Sequence, residues 1–377
     1  MLKNPFNLGS TIIFDLTIIG AGVVGLSIGK YFSQLGNSVL IIEKESRAGE
    51  GTSSRNSGVI HAGIYYPENS FKSRFCLEGN KMLYEYADEK NISHSKVGKY
   101  IVASQAGELN ALEKLFQQGI RNNVNLKYCS KEETEEAIPQ IICSSALFSP
   151  ETGIIDVPEF ITALEGDIQH ENGIVSFNTE FISAKKSKNF FQISCNDGTN
   201  FSIQSKKLVN ASGLSSDLIS YKIDQLDQRY VFPINYAKGH YFKYTGHHPF
   251  KTLVYPVSDE FTSGLHVGFD IAGQIRFGPS IDWIDEIDYS FNDSLKDHFI
   301  NSIQSYWPGL NPDKLQPDYV GIRPKIQNAK EHMMDFSILD SKNHGINGLI
   351  NIQGIESPGV TSCLSIGDYV TNLILEN

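Results

Sequence analysis

The sequence predicts an α/β protein in which a discontinuous domain built on a parallel sheet carries a second domain built on an antiparallel sheet. Three observations support this prediction. An apolar strand at 16–19 runs into a glycine-rich turn and a helical pattern. Further apolar strands at 207–211 and 349–354 return to the same kind of turn far along the chain. Between them, residues 230–278 form short, aromatic-rich strands.

The turn after the first strand has the spacing of a dinucleotide-binding loop. Gly20, Gly22 and Gly25 form the pattern Gly-x-Gly-x-x-Gly. In such a loop the first glycine makes the turn, the second lets a pyrophosphate touch the backbone, and the third lets the helix pack on the strand. Glu43 ends the second strand, 18 residues after Gly25, where a carboxylate accepts hydrogen bonds from ribose hydroxyls. We therefore predict a Rossmann-like domain that binds FAD or NAD rather than NADP.

The hydrophobic periodicity predicts the remaining elements, in chain order: a helix at 71–90, a strand at 98–103, a helix at 109–122, a helix entered through Asp156 and Pro158, a helix at 292–305 and a closing helix at 361–375. Separated strands of one sheet imply separated domain segments. We expect a nucleotide-binding domain of residues 1–90, 151–225 and 335–377, and a substrate-binding domain of residues 91–150 and 226–334.

The strand that returns near the end of the chain helps to decide whether the expected cofactor is FAD or NAD. With Gly354 and Gly359 it brings backbone N–H groups to the edge of a long, extended cofactor. NAD dehydrogenases made of two consecutive domains have no need for such a return. The sequence therefore favours FAD.

Composition limits the kinds of partner. The 377 residues, 40% of them hydrophobic, suffice for two domains. The net charge of −11, from 32 basic and 43 acidic residues, argues against a nucleic-acid surface, so an anionic substrate must be held by local basic groups. The five cysteines are widely spaced and contain no CxxC, which indicates reduced thiols and neither a disulfide framework nor a metal site.

The N-terminal residues and the apolar segments of the chain bear on its expected cellular location. Residues 1–13 lack the long apolar core of a signal peptide and run directly into the dinucleotide strand. No segment approaches the roughly 18 to 20 consecutive apolar residues of a transmembrane helix. We expect a cytoplasmic protein, with a peripheral contact at the inner face of a membrane left open.

A family resemblance is carried by the glycine loop, Glu43, Ser53-Ser-Arg-Asn-Ser-Gly-Val-Ile-His-Ala-Gly-Ile-Tyr-Tyr66, Gly98-Lys-Tyr-Ile-Val102, Gly153-Ile-Ile-Asp156, Val209-Asn-Ala-Ser-Gly213, Lys238-Gly-His-Tyr241, Gly321-Ile-Arg-Pro324 and Gly354-Ile-Glu-Ser-Pro-Gly359. These motifs resemble the D-amino-acid-oxidase-like superfamily of FAD-dependent oxidoreductases, and within it the L-2-hydroxyglutarate dehydrogenase/oxidase group. Members of that group usually carry a histidine near Arg55 and a final loop closer to Asn-Ala-Pro-Ser-Pro. Here the final loop contains Glu356, which adds a negative charge where the resemblance puts the flavin.

The resemblance implies bound FAD and a small L-2-hydroxy acid, L-2-hydroxyglutarate or a relative, oxidised by hydride transfer to flavin N5. The residues that it implies for cofactor binding, together with those of the glycine loop, are Gly20, Gly22, Gly25, Glu43, Lys44, Ser53, Ser54, Asn56, Ser57, Gly58, Val59, Ala211, Gly213, Arg323, Gly354, Glu356, Ser357, Pro358, Gly359, Val360 and Thr361.

Oxidation of a 2-hydroxy acid also needs a cation for the carboxylate. Arg323 is the best candidate, because a guanidinium binds a carboxylate through two parallel hydrogen bonds and Gly-Ile-Arg-Pro resembles the superfamily's substrate arginine. Tyr241 and Tyr255 are candidate hydrogen-bond donors, although in a chain with 17 tyrosines each alone is more typical of a core residue.

Four histidines are candidates for the base that takes the hydroxyl proton: His61, His240, His266 and His332. His61 is preferred, because it lies in the flavin-adjacent motif and an imidazole pKa of about 6.5 suits proton abstraction near neutral pH. The alternative, that His61 only hydrogen-bonds the flavin or its phosphates, stays open. His266 is the second choice, and His240 is a candidate contact for a distal carboxylate.

Two other function classes are left open by the residues. One is a flavin amine or amino-acid oxidase of the same superfamily, and the other is a non-catalytic dinucleotide-binding protein. The His61 motif favours a hydroxy acid over an amine, and Arg323 with a candidate base argues against a non-catalytic role. The electron acceptor, whether quinone, oxygen or a carrier protein, is not indicated by any motif.

Overall fold

The structure is a computed structural model that describes residues 13–257 and 265–376. Two large sheets and one small sheet form its framework, with helices packed on them. The predicted α/β class is confirmed. The expectations for the residues before 13, and for 258–264 within the predicted region of short strands, lie outside the described residues.

The described strands are β1 (Ile13–Ile19), β2 (Val39–Ile42), β3 (Val59–Ile60), β4 (His94–Ser95), β5 (Lys99–Ala103), β6 (Lys127–Cys129), β7 (Ser145–Ser149), β8 (Gly153–Ile155), β9 (Ile174–Ser176), β10 (Glu180–Lys186), β11 (Phe191–Asn196), β12 (Asn200–Asn210), β13 (Asn235–Tyr244), β14 (Leu253–Pro256), β15 (His266–Phe269), β16 (Ile275–Gly278), β17 (Asp282–Ile284), β18 (Leu315–Lys325), β19 (Ser337–Leu339) and β20 (Leu349–Gln353).

The described helices are α1 (Val23–Ser33), α2 (Phe71–Lys90), α3 (Leu109–Arg121), α4 (Lys131–Ala137), α5 (Val157–His170), α6 (Ser216–Ser220), α7 (Lys296–Gln304), α8 (Ser341–His344) and α9 (Gly359–Glu376). The helix predicted at 71–90 has those bounds. The carboxylate of Asp156 caps α5 by accepting from the N–H of Glu159. The helix predicted at 292–305 is shorter, because its first turn, 293–295, is a 3₁₀ turn.

The first large sheet has a parallel part in the order β9-β2-β1-β12-β20. The strand β19 pairs antiparallel with β20, and the hairpin β10–β11, which the sequence did not predict, extends the sheet from the first half of β12. The helix α1 packs against α5 and α9, and α2 packs against α9. The three strands predicted from distant parts of the chain therefore meet in one sheet.

The second large sheet has the order β17-β13-β16-β15-β14-β5-β7-β6, and β18 runs antiparallel along β13. Its pairing is antiparallel except between β14 and β5, which run parallel, a feature that the prediction did not include. A small sheet of β3, β8 and β4 completes the framework. The exact domain boundaries given above stay a prediction.

Within residues 13–257 and 265–376, no helix combines the length and the apolar character that crossing a membrane requires. All five cysteines are free and buried.

Close backbone packing fixes the turn between β1 and α1. Gly20 has a φ of +103°, and a Cβ there would lie 2.7 Å from the carbonyl oxygen of Ala211 at the end of β12. A Cβ on Gly25 would collide with the carbonyl oxygen of Gly20. The third glycine thus has the helix-packing role that the motif predicts.

Replacing Gly25 with alanine should therefore destabilise the fold by about 3 kcal/mol, because the collision is with backbone and no side chain can move to relieve it. The matched control is Gly166→Ala in α5, where a Cβ meets nothing within 4 Å. That change should raise stability by about 0.5–1 kcal/mol, since glycine is a poor helix former. Chemical unfolding of both variants checks the prediction, and equal effects would contradict it.

Candidate active site

A cavity of about 880 Å³ is lined by residues from both large sheets. This volume lies in the upper part of the range of about 300–1,000 Å³ that is usual for ligand sites. All four residues predicted to be catalytic line it: His61, Tyr241, His266 and Arg323. The predicted cofactor-binding residues that also line it are Gly20, Gly22, Glu43, Lys44, Ser53, Ser54, Asn56, Ser57, Val59, Ala211, Gly213, Gly354, Glu356, Ser357, Pro358, Gly359 and Val360.

Three of the predicted cofactor residues lie behind the cavity wall instead. Gly25 packs α1 on the turn, as described above. Gly58 has a φ of +65°, and its N–H donates to the side chain of Asn56 at 2.7 Å. Thr361 is fully buried, and its hydroxyl accepts from the N–H of His61 at 3.0 Å. These three residues support the residues that line the cavity but do not line it themselves.

The N-terminus of α1 opens on the cavity through Gly22 and Val23. The hydroxyl of Ser53 accepts from the N–H of Val23 at 3.1 Å. Gly22 itself supplies no capping side chain. Since backbone N–H groups and the positive helix end attract anions, this corner of the cavity suits a pyrophosphate.

Glu43 has a second role that its motif did not predict. One carboxylate oxygen accepts from the N–H of Ala21 at 2.8 Å, and the other accepts from the N–H of Glu45 at 3.0 Å. The side chain therefore ties the glycine loop to the end of β2. Each carboxylate oxygen keeps a second lone pair, which leaves capacity for a ribose hydroxyl in the cavity.

Glu356 does not bring a free negative charge to the cavity, contrary to the expectation from sequence. Its carboxylate lies 2.9 Å from the ammonium of Lys72 and 2.7 Å from that of Lys325. Burial alone raises the pKa of this carboxyl, but the two lysines outweigh burial and lower the pKa to about 2. The charge is thus more than neutralised within the protein.

Arg323 reaches the cavity from β18. Its Nη2 donates to the carbonyl oxygen of Ser280 at 2.8 Å. Gly239 on the neighbouring β13 leaves room for the guanidinium, since a Cβ there would lie 3.2 Å from Nη2. Among the described residues no carboxylate forms an ion pair with Arg323. The guanidinium is therefore available to an anion.

Tyr241 is buried beside this cation on β13. Its ring stacks on Tyr319 with centroids 4.5 Å apart, and the hydroxyl of Tyr319 donates to the carbonyl oxygen of Asn56 at 2.7 Å. Burial raises the pKa of Tyr241, so its hydroxyl stays protonated at neutral pH. Tyr241 therefore lines the cavity with a hydroxyl that keeps its proton.

His61 is held firmly by its backbone. The N–H donates to Thr361, and the carbonyl oxygen accepts from the side-chain amide of Asn80 at 2.9 Å. On the ring, Nε2 lies 3.3 Å from the hydroxyl of Ser357, whereas Nδ1 is buried without a hydrogen-bond partner. A buried ring nitrogen without a partner is an exception that calls for a role.

The environment of His61 shifts its pKa away from the unperturbed imidazole value of about 6.5. Burial, and then the nearby charge of Lys99, lower the pKa of His61 to about 3. The imidazole is therefore neutral at neutral pH and able to accept a proton.

His266 lies close to His61. Its ring stacks on Tyr255, with centroids 3.6 Å apart and planes 5° apart. Burial lowers the pKa of His266 well below its usual value, and the nearby charges of Lys99 and Arg323 lower it further. Burial first and Lys99 second are thus causes of the lowered pKa in both imidazoles of the cavity.

Lys99 is the main residue that sequence reasoning missed. It is 1% exposed, and its ammonium lies 4.8 Å from the ring centre of Tyr65 and 4.6 Å from that of Tyr255. No carboxylate in the described part of the chain pairs with it. Burial lowers the pKa of Lys99 to about 7. The sequence signal that could have identified Lys99 is its position as a lysine inside an apolar strand, Gly98 to Ala103.

The other two candidate histidines are not in the cavity. The Nδ1 of His240 lies 3.1 Å from the hydroxyl of Ser280 and 3.2 Å from the carboxylate of Asp282. Its ring also packs edge-on against Phe291, so it belongs to the second sheet's packing. His332 is exposed and lies outside the cavity wall.

A dinucleotide-type turn beside a cavity with an available guanidinium and two neutral imidazoles is typical of an oxidoreductase. The chain belongs to the DAO family of FAD-dependent oxidoreductases, whose model matches residues 15–373. The predicted superfamily and the predicted FAD are confirmed by this match. Family membership also argues against a non-catalytic dinucleotide-binding protein.

Individual relatives are similar in sequence over nearly the whole chain. The mitochondrial L-2-hydroxyglutarate dehydrogenase of Arabidopsis thaliana is 36% identical, with 96% of this chain and 83% of the relative covered. The glycerol 3-phosphate dehydrogenase of Caloramator mitchellensis is 30% identical, with 96% and 74% covered. The predicted enzyme class, an FAD-dependent dehydrogenase acting on a CH–OH donor, is confirmed.

A solved structure confirms the fold. The L-α-glycerophosphate oxidase from Mycoplasma pneumoniae with FAD bound matches with a TM-score of 0.87 at 24% identity, over 97% of this chain and 95% of that chain.

Replacing Lys99 with methionine should raise the pKa of His61, because the second cause of its depression is removed while burial remains. The variant should also be more stable at neutral pH. A lysine with a folded-state pKa near 7 binds fewer protons than the unfolded chain between about pH 7 and 10, so it costs stability as the pH falls through that range. Imidazole NMR titration and thermal unfolding test both effects. A lower pKa of His61 or a lower melting temperature would contradict this account.

Proposed function

We propose that this enzyme oxidises a small L-2-hydroxy acid, with L-2-hydroxyglutarate or a close relative as its substrate. The observation that carries the proposal is an available guanidinium and two neutral imidazoles in one cavity. A 2-hydroxy acid needs a cation for its carboxylate and a base for its hydroxyl proton. The Arabidopsis relative supports the same substrate.

In this proposal Arg323 binds the substrate carboxylate through two parallel hydrogen bonds. The hydrogen bond from its Nη2 to Ser280 fixes the orientation of the guanidinium before substrate enters. Tyr241 adds a hydroxyl donor from the neighbouring strand. These contacts orient the hydroxyl-bearing carbon of the substrate.

His61 then takes the hydroxyl proton on a ring nitrogen. Before substrate binds, burial and Lys99 keep this imidazole neutral but make it a weak base. A carboxylate in the cavity opposes the field of Lys99 and raises the pKa of His61, so the base gains strength when the substrate is present. FAD, when bound, supplies the two-electron acceptor for the hydrogen on carbon.

FAD itself fits the described residues. The N-terminus of α1 suits the pyrophosphate and Glu43 suits a ribose hydroxyl. We assign the loop 354–360, which lines the same cavity, to the flavin ring. We also retain the proposed division into a discontinuous FAD-binding domain and a substrate-binding domain, with an electron acceptor of unassigned chemistry.

A second candidate substrate is glycerol 3-phosphate, which the Caloramator relative favours. Its phosphate dianion can also bind a guanidinium, and its hydroxyl can also give a proton to His61. The two candidates differ in the acid group and in its distance from the reacting carbon. Only a direct comparison of substrates separates them.

The deciding experiment is anaerobic mixing of the FAD-loaded enzyme with a panel of compounds while the flavin absorbance is followed. We expect L-2-hydroxyglutarate to bleach the flavin faster than its D enantiomer, L-lactate or glycerol 3-phosphate. L-glutamate matches the substrate in shape but carries an amine in place of the hydroxyl, and it should be inert. Bleaching by amino acids alone would overturn the substrate class.

Replacing Arg323 with lysine should cost about 2 to 5 kcal/mol of transition-state stabilisation, because the charge remains but the two-point geometry is lost. The second-order rate constant for flavin reduction by the substrate measures this cost. The FAD content of the variant should stay normal. Unchanged kinetics with L-2-hydroxyglutarate would remove Arg323 from the substrate site.

Replacing His61 with alanine should slow flavin reduction by about 10²- to 10⁴-fold, the usual contribution of a general base. FAD content should change little. In the native enzyme, loss of activity through protonation of His61 should occur below pH 6.5, because the pKa of His61 is lowered.

Two further histidine variants serve as comparisons. His332→Ala, at an exposed position outside the cavity, should leave reduction unchanged. If His266→Ala slowed reduction while His61→Ala did not, His266 would be the base. Loss of FAD in His61→Ala would instead indicate that His61 only supports the cofactor.

A further inference from the structure

The Lys72–Glu356–Lys325 cluster joins three parts of the fold beside the cavity. Lys72 lies in the first turn of α2, Lys325 ends β18, and Glu356 lies in the loop before α9. The side chains of Lys72 and Glu356 are 1% and 5% exposed, and that of Lys325 is 12% exposed. One carboxylate oxygen of Glu356 contacts both ammonium groups.

The charges of this cluster do not balance. Two ammonium groups share one carboxylate, and among the described residues no other carboxylate forms an ion pair with either lysine. The carboxylate of Asp335 accepts from the backbone N–H groups of Phe71 and Lys72, and so stabilises the positive N-terminal end of α2. One positive charge is left over, and an uncompensated buried charge is costly unless an anion balances it.

The cluster also lies at the reacting end of the cavity. Glu356 lines the cavity, and its neighbour Ser357 contacts the ring of His61 at 3.3 Å. Lys325 follows Arg323 by two residues on β18, so the two side chains leave the same face of the strand. The surplus charge is therefore near the proposed base and substrate anchor, whereas the pyrophosphate corner is formed by α1.

We propose that the surplus positive charge of the Lys72–Glu356–Lys325 cluster stabilises the negative charge that the flavin ring gains on two-electron reduction, and thereby raises the reduction potential of bound FAD. The cluster adjusts the cofactor through its field and does not touch the substrate. The inference needs FAD in the cavity and does not depend on which hydroxy acid is oxidised.

Sulfite is a suitable probe because it needs no substrate. Its sulfur lone pair adds to the oxidised ring, and the displaced electron pair leaves the ring negatively charged. In the FAD-loaded enzyme, Lys72→Met removes the surplus charge and should weaken sulfite binding about tenfold. For a two-electron couple, a tenfold change corresponds to a reduction potential about 30 mV lower.

A double variant separates charge from packing. Lys72→Met combined with Glu356→Gln leaves Lys325 as the single charge, so the net charge returns to that of the native cluster. Sulfite affinity and reduction potential should return towards native values, although a second buried contact has been lost. A merely structural cluster predicts the opposite, since the double variant would be further from native than the single one.

The matched control is Lys90→Met, because Lys90 lies in the same helix, 18 residues after Lys72 and about 27 Å away along its axis, and pairs with Asp167. It should change neither measurement. FAD content and melting temperature identify variants that fail to fold. If Lys72→Met is one of them, Lys325→Met makes the same charge change. Unchanged sulfite binding in a folded lysine variant, or no recovery in the double variant, would overturn the proposal.

Discussion

The site depends on backbone segments that pack together without room for a side chain. A Cβ on Gly20 would press on the end of β12, and a Cβ on Gly79 of α2 would collide with the carbonyl oxygen of Thr361 in α9. Thr361 in turn holds the backbone of His61. These contacts place the turn after β1, the start of α9 and the candidate base in one rigid arrangement, although they come from opposite ends of the chain. The cavity is therefore shaped by close helix and strand packing, and the polar side chains line a space that this packing has already defined.

The second determinant is an excess of positive charge around that space in a protein that is acidic overall. The chain carries a net charge of −11, yet Arg323 and Lys99 have no carboxylate partner among the described residues, and Lys72 and Lys325 share one. Because these groups are buried or half-buried, their charges act over a longer distance than they would at the surface. Burial, and then the nearby Lys99, keep both imidazoles neutral, and the positive field favours anions in the cavity. The overall composition indicated only that an anion must be bound by basic groups near its site. The structure shows which basic side chains lie there.

Sequence reasoning succeeded where the signal is local. The glycine loop, the helix at 71–90 and the capped start of α5 depend on spacing within a few residues, and each was found from that spacing. The electrostatics depend on residues brought together from far apart. Lys72 shares the buried face of α2 with Cys76 and Leu83, which was a usable sign of burial, but nothing in the sequence pairs it with Glu356, 284 residues away. For the same reason, the pKa of His61 could not be predicted, because its burial and its proximity to Lys99 both arise only in the fold.

The charge distribution also bears on the choice between a hydroxy acid and an amino acid. An amino acid zwitterion would bring an ammonium group into the cavity that Arg323 lines, where the field is already positive, and it would have to lose a proton there before oxidation. A 2-hydroxy acid brings only negative charge, which the field attracts, and in the proposed reaction that charge raises the pKa of His61, the proposed base. In this proposal Lys99, which adds to burial in weakening His61 as a base before binding, also favours the substrate that restores the strength of the base. In the proposed reaction, binding and proton abstraction are linked through this one field, so a neutral alcohol that fits the cavity would bind poorly and would also leave the base weak.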